Sequence, residues 1–376
     1  MQRPARLRAA FLRGFPLAIA CLFAASAAHA TKYAGEFLKA PVGARAVGMG
    51  GAFTAVADDA TAPWWNPAGM VYLPYREVIP QHAEKFGRLV NHDYVGLVLP
   101  LGGVSNKQSA LGVGIIRLAV DDILVTPRPG DLQAGIDFLD DGPDGQPGSG
   151  DLGEGDNLWQ PGERITDIDF YQASSNDMAV LLSYARHDGP HWVFGGSVKF
   201  VRQSIPDTLF REHVTSFGAG LDAGLLFMPR DAVTIGVTVH DLTTTWLSWS
   251  NGTRELVAPT IDTGIALNFF PAEKNAITLA LDLGWGFEGR RRDSQLKLGQ
   301  VTTEFRTGAE YWYNNTFALR AGANVTDLTF GAGVRYKHLG VDYAASLHRF
   351  FAADESDFPN DQNLDTTHLV SASFSW

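Results

Sequence analysis

The chain has 376 residues, with 30 Lys and Arg against 41 Asp and Glu, a formal net charge of −11 and a single cysteine. This acidic surplus argues against nucleic acid as a partner, because affinity for a phosphate backbone comes from clustered bases. The lone Cys21 excludes a disulfide framework, and the lack of eighteen uninterrupted apolar residues after position 30 excludes helical membrane spans.

Residues 1–30 read as a signal peptide. Arg3, Arg6, Arg8 and Arg13 form a basic start without an acid, "GFPLAIACLFAASAA" is the apolar run, and Ala28-His29-Ala30 has the small-x-small pattern of a cleavage site. The run is too short and too rich in alanine to span a bilayer as a helix. Cleavage after Ala30 leaves 26 bases against the 41 acids and no cysteine. Burial and backbone hydrogen bonding must then hold the exported chain together.

The stretch 31–74 differs in kind. Its "GMGGAF" superficially resembles a dinucleotide loop, but Phe53 stands where the third glycine belongs and no strand precedes it. Residues 43–60 are rich in Ala and Gly, with Phe53 and Val56 near helical spacing, and Pro63 and Pro67 punctuate the residues after them. Small residues let a helix backbone approach a crowded wall, so this segment suits the inside of a barrel.

From residue 75 onward the dominant signal is period-two alternation. "HWVFGGSVKFV" puts Trp192, Phe194, Val198 and Phe200 on one face and Gly195, Ser197 and Lys199 on the other. "AITLALDLGWGF" sets Ile277, Leu279, Leu281, Leu283, Trp285 and Phe287 against Thr278, Asp282 and Gly284. An apolar outer face with aromatics at its ends and a polar inner face is the pattern of a transmembrane β-barrel. A soluble sandwich also alternates, but these runs are longer than soluble strands, and Gly and charge would fill a sandwich core poorly. The runs fall at 75–86, 92–101, 109–125, 176–187, 191–205, 216–228, 233–248, 260–271, 276–288, 301–313, 316–325, 328–337, 340–350 and 367–376, which predicts a 14-stranded antiparallel barrel over 75–376. Connection lengths agree: the even-numbered ones are brief, such as "PRDA" and "PAEK", and the long ones fall on the odd count, as expected when both termini are periplasmic. The last strand ends on Trp376 and resembles the signal read by the barrel-assembly machinery.

The longest connection, about 126–175, is an acidic outer loop. Asp140, Asp141, Asp144, Asp151, Glu154 and Asp156 lie among many Gly and Pro. They are a weak calcium set, since calcium takes six to eight oxygens, but no EF-hand register is met and a solvated loop accounts for them as well. The loop 351–366 repeats this acidic character. Inward acids (Asp222, Asp262, Asp282, Glu304, Glu310, Asp342) nearly balance inward bases (Lys199, Arg306, Arg320, Arg335, Lys337). A selective pore lines its constriction with one sign, so balance points to a pairing network that fixes a plug. Glu304, Arg306, Glu310, Arg320, Arg335 and Asp342 are its candidates, on four successive strands where cross-strand pairs are available. His187 and His191 flank a tight turn, and no nucleophile elbow, zinc helix or phosphate loop occurs, which gives no case for an enzyme. No cofactor is implied beyond the calcium candidate.

"GARAVGMGGAFTAVADDATAPWWNPAGM", residues 43–70, resembles the N-terminal signature of the PorV/PorQ family, within the wider FadL-like superfamily of long-chain fatty-acid transporters. The match is close over 43–70 and extends to the rest only in architecture. It implies an outer-membrane barrel of fourteen strands in contact with outer-membrane lipid, with residues 31–74 as a hatch in the lumen. By that resemblance Asn66, Pro67, Ala68 and Gly69 are the hatch motif and Gly48, Gly50 and Gly51 allow its tight packing. Trp64 and Trp65 sit near the start of the first strand, and Asp58 and Asp59 are placed to meet inward bases such as Arg320 or Arg335. Purely structural anchoring would suit the same residues. For function, PorV-like proteins imply a component of protein export across the outer membrane, of the type IX kind, with exported proteins as partners. FadL-like proteins imply uptake of fatty acids or other hydrophobic small molecules. Inward apolar residues are few (Leu226, Met228, Phe270, Trp312), which favours export over a ligand channel.

Overall fold

The computed structural model describes residues 34–85, 89–102, 108–125, 132–164, 171–207, 212–287, 296–299, 301–348 and 366–376. The leader with its cleavage site and nearly all of the 351–366 loop lie outside the described residues.

Fourteen antiparallel strands close into a barrel. They are β1 (Glu77–Lys85), β2 (Val90–Pro100), β3 (Ser109–Val125), β4 (Tyr171–Asp188), β5 (Trp192–Asp207), β6 (Glu212–Arg230), β7 (Val233–His240), β8 (Thr260–Ala272), β9 (Asn275–Gly286), β10 (Val301–Tyr313), β11 (Phe317–Ala323), β12 (Leu328–Tyr336), β13 (Leu339–Leu347) and β14 (Thr366–Ser375). β1 closes the ring by pairing with β14 (Glu77↔Ser375) and with β2 (Glu77↔Val98). Among the described residues this closure leaves the ring without a free first or last strand. Period-two alternation sorts the side chains as expected. Trp192, Phe194, Val198 and Phe200 are exposed on the outer face, while Val193, Ser197, Lys199 and Val201 are buried.

Three departures from the sequence expectation have local causes. The run 233–248 is one strand only to His240. Asp241 and Thr244 then take positive φ (55° and 63°), and the chain resumes at Thr245–Trp249 beside β6 (Ser216↔Trp249) before folding back as Arg254–Val257. Lys337, expected inside, is exposed in the turn after β12, with its ammonium 5.3 Å from the Tyr336 ring. Phe270, also expected inside, is 71% exposed, because the register of β8 shifts between Phe269 and Ala272.

Packing divides the chain into two compact units, and the smaller one comprises residues 119–176 and 203–215. Its acidic stretch folds on its own backbone. Asp140 accepts from the amides of Gly155 (3.0 Å) and Asn157 (2.7 Å), Asp151 from that of Asp144 (3.2 Å), and Glu154 from those of Gly148 and Gly150. Asp144 and Asp156 accept from the amides two residues on, and Asp141 faces Arg164 at 3.7 Å. The bonds of Asp144 and Asp156 are the Asx turns that Asp favours among glycines. Among the described residues no group of three or more His, Cys, Asp or Glu is arranged to hold a metal ion.

Candidate functional site

The larger unit holds the N-terminal segment. A 3-10 turn at Glu36–Lys39 leads to helix α1 (Ala44–Gly48), helix α2 (Ala62–Trp65) and a second 3-10 turn at Pro67–Tyr72. The helical spacing over 43–60 yields only the five residues of α1, because Gly50 and Gly51 turn the chain at φ 67° and 76°, values glycine adopts without strain.

The segment meets strands all around the ring. The Ala60 amide donates to Glu77 on β1 (2.8 Å), and the Tyr94 hydroxyl on β2 donates to the Ala60 carbonyl (3.0 Å). Thr238 on β7 donates to the Trp65 carbonyl (3.0 Å), and Asp282 on β9 accepts from the amides of Phe53 (2.9 Å) and Thr54 (2.8 Å). Thr329 on β12 donates to the Gly48 carbonyl (3.3 Å), and the Ala44 amide donates to Ser371 on β14 (3.4 Å). These bonds join the segment to six of the fourteen strands.

Inward glycines make room for this packing. A Cβ on Gly195 would strike the backbone of Ala68, one on Gly236 that of Thr54 and Ala55, one on Gly308 that of Met49, and one on Gly322 that of Met49 and Gly50. Wall and segment therefore touch backbone to backbone at these positions. The glycines that read from sequence as the plain inner face are the imprint of the segment.

An ionic latch joins the two. Arg45, buried on α1, forks onto Glu310 of β10, with Nε and Nη2 each 2.8 Å from a carboxylate oxygen, and also holds Asp58 and Asp59 (3.4 Å). Glu310 accepts in turn from Arg320 of β11 (2.6 Å), whose Nη1 reaches Asp342 of β13 (2.6 Å). Burial disfavours the charge on Arg45, but Asp58 and Glu310 outweigh it and hold the guanidinium above its ordinary pKa. The expected partnering of Asp58 and Asp59 with Arg320 or Arg335 is thus corrected. Arg320 is already committed to Glu310 and Asp342, and Arg335 stacks over Trp312 at 4.6 Å. Sequence reasoning missed Arg45, although it is the only base between residues 43 and 74.

Asn66 organises the second half of the segment. Its side-chain oxygen caps the 3-10 turn by accepting from the Ala68 amide (3.1 Å), with Pro67 at the first position of that turn. Its amide nitrogen donates to the carbonyls of Thr54 (2.8 Å) and of Leu225 on β6 (3.3 Å). Gly69 is required because a Cβ there would strike the Ala57 carbonyl. Asn66→Ala strands buried carbonyls as well as removing the cap, at about 1–3 kcal/mol for each stranded group. Hydrogen exchange should show faster opening of 62–72, and Asn66→Asp, which keeps the cap alone, should fall between. The tryptophans pack within the segment and against β7. The Trp65 indole donates to the Val42 carbonyl (2.8 Å) and packs on Phe53, while Trp64 faces His240 of β7 at 6.0 Å.

A cavity of about 450 Å³ borders the segment at Leu38, Trp64 and Trp65 and reaches the ends of β8, β9 and β10 at Thr260, Gly286 and Thr302. A second charge cluster lines it. Lys199 of β5 lies 3.1 Å from Asp222 of β6 and 2.7 Å from Asp241. Arg306 of β10 lies 3.3 Å from Asp262 of β8 and 2.8 Å from Glu304. The six charges expected as one network therefore divide. Glu310, Arg320 and Asp342 belong to the latch, Glu304 and Arg306 to the cavity, and Arg335 to Trp312. Of the four inward apolar residues expected, Leu226 and Trp312 are buried.

No family model matches the chain, and no curated protein does. Among solved structures it is similar to the toluene transporter TbuX of Ralstonia pickettii, at 15% identity over 89% of this chain and 97% of that one, with a TM-score of 0.50. It is similar also to the monoaromatic hydrocarbon channel CymD, at 13% identity over 89% and 97%, with a TM-score of 0.52. A FadL homologue of Pseudomonas aeruginosa aligns at 12% identity over 87% and 96%, with a TM-score of 0.47. These neighbours are FadL-like outer-membrane barrels, and what the chain shares with them is the fold.

Proposed function

We propose that this chain is a FadL-like outer-membrane channel that admits hydrophobic small molecules, with residues 31–74 as a hatch that must move for passage. The observation that carries this reading is the cavity bordered by the segment, where a ligand can lodge and beyond which the segment's backbone packs against the wall. The fold likeness to a toluene transporter and a monoaromatic hydrocarbon channel supports it. The protein-export expectation from the PorV/PorQ resemblance draws no support from these neighbours, and the small-molecule alternative fits better. The scarcity of inward apolar residues, which favoured export, loses weight because Leu38, Trp64 and Trp65 of the segment supply apolar surface to the cavity. The lumen charges hold the segment and form the cavity rim, a role that involves no catalysis. Proteoliposomes carrying the purified barrel should take up radiolabelled toluene faster than empty ones. Equal uptake, together with exported proteins accumulating in the periplasm of a deletion strain, would favour the export reading instead.

A further inference from the structure

The cavity's lining joins charged side chains to its apolar surface. Its acids outnumber its bases, and the hydrogen bonds leave specific oxygens over. Lys199 and the Asp241 amide both use Oδ1 of Asp222. Lys199 and the Thr245 hydroxyl both use Oδ1 of Asp241. Arg306 uses Oε2 of Glu304. Oδ2 of each aspartate and Oε1 of Glu304 therefore stand outside these bonds, on three residues that line the cavity. Lys199 faces two carboxylates and so does Arg306, so each group carries one negative charge more than its base supplies. His240 faces Asp262 at 3.3 Å and relieves that surplus only when protonated. Of the other lysines at the cavity, Lys39 faces Glu36 at 3.6 Å.

Aromatic surface meets this negative rim. Trp64, Trp65 and Trp285 line the same cavity. The Trp285 indole nitrogen is spent on Thr263 (3.1 Å) and that of Trp64 on the Leu38 carbonyl (3.1 Å). What these rings offer a ligand is therefore apolar and π surface. Indole faces attract cations, and the attraction grows when water is excluded. A carboxylate oxygen without a donor gains from a cation and is repelled by another carboxylate.

We propose that the cavity selects an apolar ring bearing a cationic group, an arylalkyl amine or ammonium, over a neutral hydrocarbon or an aryl carboxylate. The ring lies against Trp64 and Trp285, and the cation faces Asp222, Asp241 and Glu304. This rests on the channel reading of the same cavity and adds the charge of its ligand.

The test compares probes of one ring and three charges, benzyltrimethylammonium, toluene and benzoate, by calorimetry on the full barrel in detergent and by uptake into proteoliposomes. The ammonium should bind about tenfold more tightly than benzoate. The double variant Asp241→Asn with Glu304→Gln should shrink that preference to about threefold or less. Both substitutions keep side-chain size, and Asn keeps the positive φ at 241; an unchanged gel shift on heating shows that the variant barrel is folded. Benzoate binding as tightly as the ammonium, or an undiminished preference in the folded double variant, would overturn the proposal. Toluene uptake without any charge preference would overturn it and leave the channel reading standing. The ammonium preference without uptake of any probe would uphold it and overturn the channel reading alone.

Discussion

Glu310→Gln should release the N-terminal segment while leaving the ring intact. Glu310 is the one carboxylate shared by the segment's Arg45 and the wall's Arg320, and its side chain is 1% exposed. Removing its charge takes away the carboxylate that two buried guanidinium groups share, and leaves Arg45 with Asp58 and Asp59 and Arg320 with Asp342. Breaking a buried ion pair from one side costs about 3–5 kcal/mol, which is at least about a hundredfold in an opening equilibrium. Hydrogen exchange at the amides of Ala44–Thr54 should accelerate by that factor, while strand amides far from β10, such as those of β4 and β5, should not change. Arg45→Lys should cost less, because a lysine keeps the charge but cannot fork onto both carboxylate oxygens.

The glycine wall gives the second large effect. Gly308→Val would place side-chain atoms where the backbone of Met49 now lies, and Gly322→Val where that of Met49 and Gly50 lies. Backbone cannot rotate away as a side chain can, so relief requires moving the segment, and overpacking of a filled core costs about 1–3 kcal/mol even where rotamers can yield. Both variants should still assemble as heat-modifiable barrels, since valine suits a strand, yet their N-terminal segment should become sensitive to added protease. Gly196→Ala is the control: its nearest neighbour, the Asp222 carbonyl, is 3.5 Å from the new Cβ, and protease resistance should be retained.

The wall was legible in the sequence because a barrel strand must alternate residue by residue, and that constraint repeats fourteen times. It failed where the backbone leaves the ladder. The positive φ at Asp241 and Thr244 breaks β7 with no glycine or proline to announce it, so Asp241 and His240 read as mid-strand residues and their place at the cavity was missed. Lys337 and Phe270 were misplaced for a related reason, since period-two counting runs past a strand's end or through a register shift. The segment's motif residues were legible as a motif, but their partners were not. Arg45 sits 265 residues from Glu310, and nothing local selects Glu310 over the other inward acids. The tight packing of Gly48 and Gly50 was foreseen, whereas their counterparts in the wall, Gly308, Gly322 and Gly331, read only as the small-residue face of ordinary strands.

Movement of the segment is the central claim, and a removable lock tests it most directly. The Ala44 amide lies 3.4 Å from the Ser371 hydroxyl of β14, and the chain has no cysteine after Cys21 to interfere. The pair Ala44→Cys with Ser371→Cys should form a disulfide that pins α1 to the wall. Toluene uptake into proteoliposomes carrying this variant should be abolished when oxidised and restored by a reductant. Equal uptake in the two states would show that passage proceeds with the segment in place and would contradict the account.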